Sequence, residues 1–420
     1  MTVADYLNGS ELQINEHIDP DSMVATRMMR EDQDRTLVFN DFNGGRAVAN
    51  LFSTRKKVAE ALGVEEDGIV GRMIEAVDDP CETVMTADPK FRYKELEVDL
   101  MSLPIARYFP EDGGRYITAG VIVSEYGGKR NVSFHRMMIM DKDSIAVRLV
   151  PRHLFKMYNM AKEAGEELKV SICIGARPEV LLAAATSTAY ETDELTIASS
   201  LCKKGSGRPL EVGTTDNGLV VPSECDYVFE ARITMEETSE GPFVDITGTY
   251  DYVRQQPVIK VDKVWCSKDP YFHLLLPGGN EHYLFMGLPR EPMMFVSVRE
   301  KVPGVKAVRL TEGGCCWLNG VVSIKKVNPD DGEKAALAAL DGHKSMKNVI
   351  VVDDDVNIFD DKEVEWAVAT RFQATRLITK PGEKGSSLDP SATDSITCKV
   401  AIDATMPSDR DPKDFKRAVL

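Results

Sequence analysis

Residues 115–141 read RYITAGVIVSEYGGKRNVSFHRMMIMD. From Arg115 to Glu125 the residues alternate in the manner of a strand. Residues 126–129, YGGK, have turn composition, and RNVSFHRMMIMD, 130–141, predicts a second strand. The segment therefore predicts a β-hairpin. Downstream, PRHLFKMYNMAKEAGEE (151–167) predicts a helix and LKVSICIG (168–175) a buried strand. PEVLLAAATS (178–187) predicts a helix with Pro178 in its first turn, and DELTIASSLCKKG (193–205) another. Strands then follow one another from 208 to 267: LEVGTT, GLVVPS, YVFEARITM, FVDITGTYD and VIKVDKVWC. Long β runs with two helical insertions predict a barrel or sandwich.

The flanks have a different texture. RTLVFNDF (35–42) and RAVANLF (46–52) predict strands joined by a turn at Asn43, Gly44 and Gly45. STRKKVAEALG (53–63) predicts a helix ended by Gly63. After about 290 the pattern alternates as in an α/β domain. VVSIKKV (321–327) and NVIVVDDDVNIF (348–359) predict strands; DDGEKAALAALDGHK (330–344) and DKEVEWAVATRF (361–372) predict helices. TKPGEKGSSLDPSATDS (379–395) predicts a mobile loop or surface crossing, ITCKVAIDAT (396–405) a last strand, and the tail SDRDPKDFKRAVL a segment that packs on a partner subunit or frays.

The chain has 420 residues and a formal net charge of −16. That length allows two or three domains, and the charge disfavours a nucleic-acid role. No apolar run reaches membrane-spanning length, and MTVADYLNGSELQINEHIDP lacks signal-peptide features. These features predict a cytoplasmic protein, with no membrane or nucleic-acid partner. The eight cysteines are scattered without a CxxC, as expected of reduced core thiols. Walker A, GxGxxG, HExxH and GxSxG motifs are absent, which argues against a P-loop, Rossmann, zincin or hydrolase assignment.

Several residues can carry chemistry, each with a plainer alternative. His153 stands at a helix start, as ligand or as capping residue. Glu240 and Asp245, in SEGPFVDITG, form either a proton-shuttling pair or a solvated turn. Asp353, Asp354 and Asp355 end a strand and lack EF-hand spacing. Lys399 follows a polar loop and, alone, reads as a surface lysine.

Taken together, five stretches besides the hairpin resemble the UbiD family of decarboxylases. They are VFNDFNGGRAVANLFSTRKKVAEALG (38–63), the 150–187 segment, VPSECDYVFEARI with EGPFVDITGTY (221–250), VVDDDVNIFDDKEVEWAVATR (351–371) and CKVAIDAT (398–405). The resemblance implies an α+β fold. A central split β-barrel (flavin-reductase-like, 106–290), binding prenylated FMN and metal, is flanked by an N-terminal α/β domain (1–105) and a C-terminal α/β oligomerisation domain (291–420). It implies prenylated FMN and Mn²⁺ (or Mg²⁺), with K⁺ in many members. The implied metal ligands are Asn131, His153 and Glu194. Asp193 and Glu191 stand close enough to Glu194 that a shift of register would exchange them. Asn131, Ser133, Arg136, Arg152, His153 and Lys399 match cofactor-site positions. Arg136, Glu240 and Asp245 match the acid–base constellation, in which Glu240 would protonate the carbon that lost CO₂.

Alternation puts Asn131 and Ser133 on one strand face and Arg136 on the other. A shared site therefore requires a break near Phe134–His135. The short chain is most similar to the compact archaeal branch, implying trans-anhydromevalonate 5-phosphate as substrate and isopentenyl phosphate as product. Arg148 and Arg152 are candidates for the substrate phosphate, or ordinary surface arginines. The resemblance further implies a prenyl-flavin synthase partner and a homodimer or hexamer. Rival readings are a decarboxylase of hydroxybenzoate-type aromatic acids, a non-catalytic UbiD-like subunit of a larger complex, and a flavin oxidoreductase.

Overall fold

A computed structural model describes residues 1–415 and 417 and divides into two units, 1–285 and 286–420. The first is built on a nine-stranded antiparallel sheet. Its elements, with those that carry the site, are β1 (Tyr116–Ile117), β2 (Val121–Tyr126), β3 (Lys129–Phe134), β4 (Met137–Ile139), β5 (Ser144–Val147), α1 (His153–Glu163), β6 (Leu168–Ile174), α2 (Pro178–Ala185), α3 (Glu194–Ser206), β7 (Tyr227–Glu240), β8 (Phe243–Val244), β9 (Tyr250–Asp251), β10 (Arg254–Cys266) and α4 (Asn280–Gly287). The sheet runs β1-β4-β5-β10-β7-β6-β2-β3, and Lys94–Leu96 also pairs with β10. Strands β8 and β9 form a separate two-stranded ribbon.

The expected hairpin is β2–β3, joined at Gly127 and Gly128. Strand β3 stops at Phe134, and after His135 and Arg136 the chain resumes as β4, which pairs with β1 and β5 rather than β2. This is the break that the face conflict required. Helix α2 is buried nearly all round, because its alanines let neighbours approach closely. Helix α3 starts where the Asp193 side chain accepts from Leu195 N at 3.0 Å.

Strand Phe272–Leu274 runs parallel to Gly45–Ala49 and completes the N-terminal sheet, which also holds Leu12–Ile14 and Leu37–Phe42. The first two of the three expected parts therefore share one unit. Phe39, Tyr108, Phe229 and Phe272 lie in its common core, each worth about 2–3 kcal/mol of apolar burial.

Two expectations need correction. FVDITGTYD is not one strand: Gly248 N donates to Asp245 O at 2.9 Å and Asp245 N to Thr249 O at 3.0 Å, so the chain reverses between β8 and β9. Gly248, at φ +72°, supplies the left-handed residue of that reversal. The first part of 379–395 is not a loop either, for Leu377–Lys384 is an edge strand antiparallel to Ile396–Asp403. Its register shifts between Lys380 and Glu383, the form in which an edge accommodates Pro381.

The second unit carries a five-stranded sheet in the order Val305–Leu310, Asn319–Ile324, Asn348–Asp353, Ile396–Asp403, Leu377–Lys384. Asp353 and Asp355 at its strand end pair with Arg371, the structural rather than the metal reading of that acidic run. In the tail Pro412–Phe415 makes a short 3-10 turn, and the rest of that expectation falls partly outside the described residues. No helix of the described residues is long and apolar enough to cross a membrane.

Candidate active site

Two clusters meet at the β3–β4 break. The first gathers the three expected metal ligands. Asn131 and Ser133 share a face of β3, His153 opens α1 and Glu194 opens α3. Glu194 is buried; its Oε2 accepts from Val132 N at 2.9 Å. Its Oε1 accepts from Asn131 Nδ2 and Thr188 Oγ1, each at 3.3 Å, and lies 3.8 Å from His153 Nδ1. Burial, only partly offset by these donors, pushes the Glu194 carboxyl up to about 7. The neighbour Asp193 caps the helix and pairs with Arg130 instead.

The hydrogen bonds around Asn131 test whether a cation fits. Ser133 Oγ lies 2.9 Å from both Asn131 Oδ1 and His135 Nε2, and His135 Nδ1 faces Arg148 O at 3.0 Å. Burial pushes the His135 imidazole down to about 4, so it carries one proton near neutrality. A carbonyl oxygen only accepts, so that proton belongs on Nδ1. Ser133 then donates to Nε2 and prefers to accept from Asn131. With the Asn131 amide turned over, its oxygen would replace Nδ2 beside Glu194 Oε1, and a divalent cation between them would satisfy both oxygens. Two oxygens and an imidazole suit Mn²⁺ or Mg²⁺ better than a thiolate-seeking metal. Among the described residues no group of three His, Cys, Asp or Glu could hold a metal ion.

The second cluster is centred on Arg136. Its Nε and Nη2 donate to the two Glu240 oxygens at 2.9 Å each, a bidentate pair. Nη1 donates to Asp245 Oδ2 at 2.9 Å and lies 3.0 Å from Asp251 Oδ2. Glu240 ends β7 with a wholly buried side chain, and Phe243 stacks on the guanidinium at 4.9 Å. The three expected acid–base residues are thus in direct contact.

Sequence reasoning missed two members. Tyr116 OH donates to Glu240 Oε1 at 3.1 Å. Burial and the Glu240 charge raise its phenol pKa, so it stays a donor. Asp251 also accepts from Arg254 Nη1 at 2.6 Å. Burial raises its carboxyl pKa, but Arg254 and Arg136 outweigh that and hold it below the usual value. Reading residues 243–251 as a hairpin would have folded Asp251 back opposite Phe243, two residues from Asp245; nothing local points to Tyr116.

The remaining candidates make contacts of their own. Arg152 precedes α1 and donates to Ser187 Oγ at 3.1 Å. Lys399, in the second unit, is buried rather than on the surface and donates to Lys344 O at 2.5 Å. Burial pushes its amine pKa down.

Residues 82–280 match the 3-octaprenyl-4-hydroxybenzoate carboxy-lyase Rift-related domain of UbiD, and 8–77 and 283–404 match its N- and C-terminal domains. The chain belongs to the UbiD family. Among curated UbiD relatives, the anhydromevalonate phosphate decarboxylase of Methanocaldococcus jannaschii is 42% identical over 406 residues, covering 94% of each chain. That of Methanosarcina mazei is 40% identical and covers 100% of this chain and 99% of its own. The UbiD-class enzyme HmfF from Pelotomaculum thermopropionicum, solved with FMN, superposes with a TM-score of 0.96 at 32% identity, over 100% of this chain and 97% of that one. Asp251 and Tyr116 join the second of the two clusters in this UbiD chain.

Proposed function

We propose that this protein decarboxylates trans-anhydromevalonate 5-phosphate without net oxidation, giving isopentenyl phosphate and CO₂ in a mevalonate pathway. The observation that carries the reading is the buried Glu240 clasped by Arg136, in a chain about 40% identical to anhydromevalonate phosphate decarboxylases. Loss of CO₂ from an unsaturated acid leaves a high-energy carbanion. Prenylated FMN, when bound, supplies an acceptor for that electron pair. Asn131, His153 and Glu194 would hold Mn²⁺ (or Mg²⁺), which would supply positive charge for an anionic cofactor.

The chain's own residues handle charge and one proton. Glu240 delivers the proton to the carbon that lost CO₂. Arg136 fixes the orientation of Glu240 through two parallel bonds, and Tyr116 steadies the same carboxyl. Asp245, on another Arg136 donor, returns a proton from solvent to Glu240. Asp251 is the permanent counter-charge that keeps Arg136 in place.

Around this core we read the nine-stranded sheet as a split barrel and the three family segments as N-terminal, cofactor-binding and oligomerisation domains. We place the enzyme in the cytoplasm, as a homodimer or hexamer supplied by a prenyl-flavin synthase. HmfF has a described dimeric form, which supports the oligomer. The test is turnover in D₂O by protein loaded with prenylated FMN and Mn²⁺. One deuterium should appear at the carbon that lost CO₂, and Glu240→Gln should slow product formation at least about 100-fold. A Glu240→Gln enzyme within threefold of wild type would remove the proton donor from this account.

A further inference from the structure

Arg136 has spent its donors on Glu240, Asp245 and Asp251, so it has little left for a second anionic group on a substrate. Another arginine beside it has not. Arg148 N donates to Arg136 O at 3.1 Å, which sets the two residues side by side on neighbouring chain segments. Its guanidinium is half-buried. Among the described residues it donates to Leu149 O at 3.3 Å and pairs with no carboxylate. A charge in that position lacks the compensation that half-buried arginines normally have.

Strand register brings a second cation to the same place. Strand β5 pairs with β10 through Ser144↔Lys260, Ile145↔Ile259 and Ala146↔Val258. Continued by two residues, that register sets Arg148 opposite Gln256, and Leu149 N indeed donates to Gln256 Oε1 at 2.8 Å. Arg254 is two residues from Gln256 and so shares its face. It is also the direct cross-strand partner of Glu240. Arg254 places Nη1 on Asp251 and Tyr252 O and leaves its other donors free of protein partners among the described residues; its side chain is about one-third exposed. Burial, and then the charges of Arg254 and Arg136, hold the Arg148 guanidinium below its usual pKa, with Asp251 and Glu240 offsetting only part of the effect.

We propose that Arg148 and Arg254 form a subsite for a phosphate monoester, occupied by the phosphate end of the substrate. Two arginines on neighbouring segments, one of them the cross-strand partner of the proton donor, are suited to a dianionic group with three acceptor oxygens. The assignment rests on the decarboxylase reading above and adds the contact that selects a phosphorylated acid over an unphosphorylated one. The flavin phosphate is the other source of the same chemistry, and the candidate metal group already answers to it.

The test is Arg148→Gln in the full chain, read in three ways. With protein loaded with prenylated FMN and Mn²⁺, KM for the phosphorylated acid should rise at least tenfold while kcat changes far less, and Arg148→Lys should recover part of the loss. Titration with FMN, followed by flavin fluorescence, should give the wild-type affinity. Inorganic phosphate, followed by ³¹P line broadening on FMN-loaded protein, should bind wild type and not Arg148→Gln. Should wild type fail to turn over the phosphorylated acid yet bind inorganic phosphate through Arg148, the subsite stands and the substrate reading falls. An unchanged KM with Arg148-independent phosphate binding overturns the subsite. Loss of FMN affinity in Arg148→Gln overturns it too, by giving Arg148 to the cofactor.

Discussion

Arg136 holds three carboxylates where two were expected, and the third has consequences. Asp251 carries a fixed negative charge between Arg136 and Arg254. Asp251→Asn should lower kcat about tenfold and leave FMN affinity unchanged. It removes an anion near the proton donor, so the alkaline limb of the kcat–pH profile should move to lower pH. A profile that drops without shifting would make Asp251 merely structural. Asp112 gives a stability test. It is buried beneath β8, accepting from Phe109 N at 2.8 Å and Val244 N at 3.3 Å. Burial pushes its carboxyl up to about 6 from 3.8. Between those two values the folded chain binds the proton more tightly than the unfolded chain. Stability from this residue is therefore present at low pH and lost as pH rises through about 6, by no more than about 3 kcal/mol. Asp112→Asn should flatten that slope in thermal melts taken across the window. Arg136 was legible in RNVSFHR and Glu240 with Asp245 in SEGPFVDITG, two separate stretches that the family resemblance brought together. Tyr116 was not, because its bond to Glu240 spans 124 positions and depends on how β1 is laid against the ribbon.

At the scale of elements, the most useful sequence signal was a conflict. Residues 131, 133 and 136 cannot share a strand face, and the chain resolves this by ending β3 and starting β4 on new neighbours. Periodicity failed in 243–251, where alternation continues through a reversal that only its hydrogen bonds reveal. It failed again in Leu377–Lys384, where an edge strand tolerates the Pro-Gly pair that composition reads as a loop. The helix stop at Gly63 was legible and can be tested. Gly63 adopts φ +64°, and a Cβ there would lie 3.2 Å from Gly205 O on α3. Gly63→Ala should cost about 1–2 kcal/mol in denaturant midpoint, from the left-handed backbone and that crowding. An unchanged midpoint would show that the α3 contact yields freely.

For the whole molecule, the family resemblance covered nearly all the chain and composition alone very little. A net charge of −16 argued against nucleic acid but said nothing of the arginines gathered around Asp251. On the proposed function, Asn131, His153 and Glu194 hold the divalent cation that retains the cofactor. Chelation should therefore weaken FMN binding about tenfold or more, and Mn²⁺ should restore it. Retention of flavin at full affinity after chelation would remove the metal from the cofactor site. The central claim meets its most direct test in one assay. Protein loaded with prenylated FMN and Mn²⁺ is given trans-anhydromevalonate 5-phosphate, and in parallel hydroxybenzoate-type acids, with CO₂ and organic product measured together. The account predicts isopentenyl phosphate and equimolar CO₂ from the first and neither product nor CO₂ from the second. Turnover of the aromatic acids alone, by protein shown to hold the mature flavin, would contradict it.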